Sequence, residues 1–324
     1  MRYSLLSRFQ GVLLGAALAQ QLETDLRTGR WAGRSDIDLL DWQPGRLPPS
    51  EATSGELSTS AGAMALGYAC NLATTANWRM VDGDSNPFPG FGPNSLAEWA
   101  IATLPLMLFY HDDRQELCQQ LRLAVDESSE VVHGVLALGL AIAQALREKP
   151  PRQFIPAVLH GLTSLPATVF PSGPDPKYTT ALTRIQFLVH RGAALPTAMA
   201  EVQSAGLSGK GFGAIALAFY CFLSSPEHLN LSVLRAARIS TVAPGLCALT
   251  GALAGAYNST LGLPLTWALP LSDPAFLLIW GIPISTLYTQ TSQLLAAWSG
   301  AQDPQTFCHE QVTIAAPDVL RFQA

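Results

Sequence analysis

The sequence predicts an all-α fold, a compact multi-helix bundle, on three observations. Most apolar segments recur at the three-to-four-residue spacing of a buried helix face, few runs alternate like strands, and capping side chains or prolines precede several apolar runs. With 324 residues the chain can bury a large core. Its helix–short loop–helix rhythm shows neither a clear linker nor a fixed-period repeat, so a single domain over 1–324 is expected, with 303–324 as a C-terminal tail.

Residues 2–22 place Leu5, Leu6, Phe9, Leu13, Ala16 and Ala17 on one face and run into Gln20, Gln21 and Glu23. The apolar run 11–19 is short and lacks a convincing cleavage site, so it reads as a core helix rather than a signal peptide. A loop rich in Arg, Asp, Gly and Pro follows to Ser58. Its Asp36, Asp38 and Asp41 lack the glycine and closing glutamate of a calcium loop and read as a solvated turn or helix start. Ser58-Thr-Ser60 caps a helix at 61–73, and a Pro- and Gly-rich loop occupies 81–95.

Helices are then expected at 96–110, 113–125, 129–147, 151–164, 179–191, 195–204, 212–223 and 229–239. Asp112-Asp113 caps the second of these, and Pro151 opens the fourth. A short loop at 240–244 leads into a small-residue helix ending at Tyr257, with Pro244 in its first turn. Gly251, Ala252, Ala254, Gly255 and Ala256 let another backbone come close there, and the free N–H groups of a helix start make the loop a natural place for a ligand.

Composition narrows the function. Charged residues are 13% of the chain and hydrophobic residues 48%, with a mean hydropathy of +0.23. A net charge of −5 with no Lys/Arg cluster argues against a nucleic-acid partner. Cys70, Cys118, Cys221, Cys247 and Cys308 form no CxxC pair and read as buried reduced thiols of a cytoplasmic protein. His133, on an apolar helix, reads as a packing residue. From Ile239 to Gln302 the one charged residue is Asp273, but five prolines and two polar runs interrupt the stretch, which disfavours membrane spanning. An apolar face there suits a protein partner or self-association.

Several segments, taken in order, resemble the ADP-ribosylglycohydrolase family, which includes dinitrogenase-reductase-activating glycohydrolases and J1 crystallins. They are Arg8-Phe-Gln-Gly-Val-Leu-Leu-Gly15, Gly55-Glu-Leu-Ser-Thr-Ser-Ala-Gly-Ala-Met-Ala-Leu66, Leu104-Pro-Leu-Met-Leu-Phe-Tyr-His-Asp-Asp113, Leu234-Arg-Ala-Ala237, Leu249-Thr-Gly-Ala-Leu-Ala-Gly-Ala-Tyr257 and Leu263-Pro-Leu-Thr-Trp267. The resemblance covers roughly 1–300 and implies an all-α bundle. It also implies a site in which two metal ions, usually magnesium, sit between acidic residues of a Thr-Asp-Asp-Thr helix start and a late Gly-Gly-Asp-x-Asp-Thr loop.

This chain departs from the family at those motifs. Aligned on Met64, Thr59-Ser-Ala-Gly62 stands over Thr-Asp-Asp-Thr. Without a gap, Ser240-Thr241 stand at the two glycines, Val242 and Pro244 at the two aspartates, and Gly245 at the threonine. Gln20 lies where Gly-Asp is usual in the first helix. Hard divalent ions need oxygen ligands, preferably anionic, so the magnesium ligands of the family are expected to be lost, with no cofactor.

The principal expectation is a catalytically degenerate member acting as a binding, regulatory or assembly factor through protein contacts. One alternative is an active ADP-ribosyl hydrolase, of N- or O-glycosidic links, with Asp36, Asp38, Glu51 or Glu56 rebuilding the site. Another is a structural, crystallin-like role. A vestigial pocket for an ADP-ribose-like small molecule would be lined by Gln20, Thr59, Ser60, Asn94, Ser95, Ser240 and Thr241, set against the plainer reading of these hydroxyls as helix caps and loop polar groups.

Overall fold

The computed structural model describes residues 3–28, 42–44, 61–75, 95–125, 129–168, 173–207, 211–240, 243–273 and 275–301. Among them the fold is all-α, with one isolated β-bridge between Leu277 and Pro283. The helices are α1 (Leu5–Arg27), α2 (Ala61–Thr75), α3 (Leu96–Ala102), α4 (Leu104–Phe109), α5 (Arg114–Ala124), α6 (Ser129–Leu146) and α7 (Phe154–Thr163). They continue as α8 (Pro176–His190), α9 (Leu195–Ser204), α10 (Phe212–Leu223), α11 (Leu229–Ala237), α12 (Leu246–Asn258), α13 (Leu265–Ala268) and α14 (Ile284–Ser299).

At the centre, α12 packs most extensively on α1, with α10, α11 and α6 around it, while α2 and α14 pack against each other. Small residues create the α1–α12 contact. A Cβ built on Gly255 would stand 1.9 Å from the Gly11 carbonyl oxygen, and one on Gly15 would stand 2.4 Å from that of Gly251. Gly11 therefore faces Gly255 and Gly15 faces Gly251, so the helices run antiparallel with their backbones in direct contact. The pairing extends past both glycine pairs: the Ser7 and Thr260 hydroxyls lie 2.7 Å apart at one end. Almost every residue of α12 is buried, as expected for a helix that is apolar all round.

Polar side chains tie the outer helices to this centre. Arg8 of α1 is buried and donates from Nη1 to the Ala145 carbonyl (2.6 Å), while Nη2 pairs with Glu148. The same Ala145 carbonyl, in the last turn of α6, also accepts from the Glu148 N–H at 3.0 Å, so Arg8 adds a second donor at this helix end. His133 is buried with Nε2 2.7 Å from the Gly173 carbonyl and its ring against Tyr178, the packing role expected of it.

Several boundaries differ from the sequence expectation for identifiable reasons. Helix α1 continues to Arg27 instead of ending at Leu22, because Glu23 and Asp25 are buried and hydrogen-bonded rather than solvated. The segment expected as one helix over 96–110 divides at Thr103: Pro105 has no N–H to donate, and the helix restarts with it in the first turn. Helix α8 starts earlier, at Pro176, since Asp175 caps it by accepting from the Lys177 N–H (2.8 Å). Pro244 lies outside α12, whose N-cap is Gly245.

Helix α14 is an addition to the sequence reading. Its Ser and Thr hydroxyls bond back to carbonyls one turn earlier, as Thr289 does to Ser285 (2.9 Å), while Leu287, Thr291, Leu294 and Leu295 are buried. Of the cysteines, Cys118, Cys221 and Cys247 are buried as expected, but Cys70 is exposed, because its place on α2 lies off the packed face. Burial pushes the Cys118 thiol up to about 11 and Cys221 to about 12, so neither is a ready nucleophile. Among the described residues, no helix is long and apolar enough to cross a membrane.

Candidate functional site

The antiparallel α1–α12 pair brings the C-terminal end of α1 beside the N-terminal end of α12. Along α1 the stripe facing α12 runs Gly11, Gly15, Ala19 and then Glu23, at one-turn spacing. Glu23 is 3% exposed. Its Oε1 accepts from the Gly245 N–H at 2.7 Å and its Oε2 from the Cys247 N–H at 3.3 Å. A carboxylate on helix-start N–H groups is favoured by those donors and by the helix dipole.

The N-cap of α12 cannot supply that acceptor itself. Gly245 has φ +81°, and a Cβ there would meet the Ala97 methyl at 2.6 Å, so both backbone conformation and space require glycine. Glu23, from a helix at the other end of the sequence, takes over the capping role.

Burial raises the Glu23 carboxyl above its usual 4.5, opposed by the Gly245 and Cys247 N–H groups and the charge of Arg27. The folded state thus holds this proton more tightly than the unfolded chain. Its contribution to stability is fully present below 4.5 and is lost as pH rises through the raised folded value. Urea unfolding of wild type and Glu23→Gln across about pH 4 to pH 8 checks this. Wild-type stability is expected to fall relative to the variant as pH rises above 4.5, and a difference that does not change with pH contradicts the assignment. The adjacent Cys247 thiol is raised well above its usual value, first by burial and then by the Glu23 charge, which makes it a packing group.

Gln20, one turn earlier on α1, is also engaged. Its Oε1 accepts from Trp280 Nε1 at 2.8 Å. Trp280 rides on a tight turn closed by Leu278 N–H to the Ile282 carbonyl (2.9 Å), with Gly281 at φ +78°. The indole is 2% exposed and lies against the first turn of α2, where a Cβ on Gly62 would come within 2.0 Å of its Cδ1. Asp25, the other buried carboxylate of α1, accepts from Trp42 Nε1 at 3.1 Å, and Trp42 packs edge-on against Trp267.

The other candidate residues are placed as follows. Ser95 is the N-cap of α3 and accepts from the Glu98 N–H at 3.3 Å. Ser240 is buried and donates to the Ala237 carbonyl at 3.0 Å. Thr59, Ser60, Asn94 and Thr241 lie outside the described residues, as do Val242 and the carboxylates Asp36, Asp38, Glu51 and Glu56. Gln20 and Gly245 are thus brought to one end of the α1–α12 pair, with Gly62 reached through Trp280. At the described motif positions, Ala61, Gly62, Pro244 and Gly245 offer no side-chain oxygen. Among the described residues, no three His, Cys, Asp or Glu side chains gather as a metal set.

Sequence reasoning missed Glu23 and Trp280. The one-turn stripe from Gly11 to Glu23 was a readable signal for the first; nothing local marks Trp280 as the partner of Gln20.

Comparison with known proteins agrees with this architecture. A search of curated proteins finds no match. Among solved structures, the chain is similar to one described as an ADP-ribosylglycohydrolase-related protein complex, with a TM-score of 0.53 and 17% sequence identity over 89% of this chain and 99% of that one. At that identity the likeness concerns the fold. Residues 17–303 match the family described as ADP-ribosylglycohydrolase, so the chain belongs to the ADP-ribosylglycohydrolase family.

Proposed function

We propose that this chain is a catalytically degenerate member of its family that acts as a binding, regulatory or assembly factor through protein contacts. The observation that carries this reading is how the end of the α1–α12 pair is filled. Glu23 is spent on the Gly245 and Cys247 N–H groups, Gln20 on Trp280, and the Trp280 indole covers the first turn of α2 at Gly62.

A pair of magnesium ions needs several oxygen ligands with open coordination positions. The described residues do not fit that demand: alanine, glycine and proline stand at motif positions, and the nearby carboxylate already accepts two N–H bonds. No hydrolytic step is therefore assigned to them.

Support for protein contacts comes from the surface after α12. Leu261, Leu265, Leu269 and Leu277 are exposed, Leu265 by 72%, and Leu265 and Leu269 stand one turn apart. The similar solved structure is described as a protein complex, which accords with an assembly role.

An ADP-ribosyl hydrolysis assay with added magnesium tests the proposal. Release of ADP-ribose is expected to stay at the level of the enzyme-free blank; turnover proportional to protein concentration would sink the reading.

A further inference from the structure

A second part of the molecule has the makings of a ligand site. A cavity of about 630 Å³ opens between the start of α5, the end of α6 and α7. That volume lies within the range of small-molecule pockets. It is remote from Glu23: Phe9 packs edge-on against His111 on its wall, and the rise along α1 from Phe9 to Glu23 is roughly 20 Å.

Among the polar side chains that line this cavity are Arg114 of α5, Gln144 of α6, Arg147 just after α6 and His160 of α7. In a chain with only 13% charged residues, such a gathering is a local exception. Arg147 is held in place by Nη2, which donates to the His111 carbonyl at 3.1 Å and the Asp112 carbonyl at 3.2 Å. Its remaining N–H donors stay available on a fixed arm. The Arg114 side chain is exposed and makes no hydrogen bond or ion pair among the described residues.

The carboxylates on the wall have work of their own. Asp113 Oδ1 caps α5 by accepting from the Gln115 and Glu116 N–H groups at 2.9 and 3.0 Å, and Asp112 Oδ1 accepts from Trp298 Nε1 at 3.2 Å. Leu117, Leu140 and Ala143 are buried side chains that give the cavity an apolar floor.

We infer that this cavity binds a small molecule carrying a phosphate group and an apolar portion. Two guanidinium groups match phosphate oxygens in geometry and charge, and the leucine floor accepts the apolar portion.

Calorimetric titration of the full chain with inorganic phosphate and with phenyl phosphate, at constant ionic strength against chloride, tests the inference. Saturable binding is expected, tighter for phenyl phosphate, and weakened at least about tenfold by Arg114→Gln. Arg114 is exposed and partner-free, so that variant should keep its fold, checked by its helical circular dichroism. Arg147→Gln should weaken binding similarly where it remains folded. Binding that is absent, matched by chloride, or unchanged in Arg114→Gln would overturn the inference. Because none of these residues touches Glu23 or Trp280, the outcome is independent of the hydrolysis assay.

Discussion

Gly255→Ala is expected to destabilise the protein by about 3 kcal/mol or more. The added methyl would stand 1.9 Å from the Gly11 carbonyl oxygen and 2.5 Å from its carbon, both backbone atoms of a packed helix. No rotamer change relieves such a contact, so α1 and α12 must separate, and the Glu23 cap and the Ser7–Thr260 bond separate with them. Gly139→Ala is the control. Its Cβ would meet the Leu117 and Met107 side chains at 3.1 Å, and these flexible neighbours can give by a few tenths of an ångström. The better helix propensity of alanine, about 1 kcal/mol, offsets much of that cost. Urea midpoints with unchanged slopes should separate the two variants clearly. Equal midpoints would mean that the α1–α12 backbones do not touch.

Trp280→Ala is the second large effect, with an expected loss of about 3–5 kcal/mol from deleting a fully buried aromatic side chain. It removes the indole from the first turn of α2 and leaves Gln20 without its donor. Trp280→Phe separates the two contributions. It keeps most of the ring and removes the hydrogen bond, at a cost of about 1–3 kcal/mol. In a double-mutant cycle with Gln20→Leu, the coupling should be about 1 kcal/mol. A cycle with no coupling would place the indole N–H elsewhere. Neither variant is expected to gain hydrolytic activity, because opening the space adds no carboxylate at Ala61 or Pro244.

Much of the fold was legible because helix periodicity and capping are local properties. The apolar face of α1, the Asp113 cap of α5 and the small-residue face of α12 all follow from residues within a few turns of one another. Helix α14 was not legible as a helix, since its serines and threonines read as a polar interruption until their hydroxyls are seen returning to its own carbonyls. The end of α1 was misjudged for a related reason. Glu23 and Asp25 look like a solvated terminus, and only tertiary partners, the α12 N–H groups and Trp42, keep them inside.

The site was legible as a place and not as an arrangement. Missing carboxylates at Ala61 and Pro244 can be read from the residues alone, whereas the need for glycine at the N-cap of α12 shows only in the structure, since the sequence places Pro244 in the first turn of that helix. What replaced them depends on contacts between distant parts of the chain: Gln20 with Trp280 and Glu23 with Gly245. No local pattern encodes such pairs, and an indole that settles against a helix start is positioned by the turn that carries it.

Loss of the metal site is tested by the metal content of the full chain after equilibration with magnesium, read together with a magnesium calorimetric titration. No stoichiometric ion and no saturable heat are expected, in wild type and in Glu23→Gln alike. One or two magnesium ions retained per chain, with affinity lost in Glu23→Gln, would show that this carboxylate serves a metal and would contradict that loss.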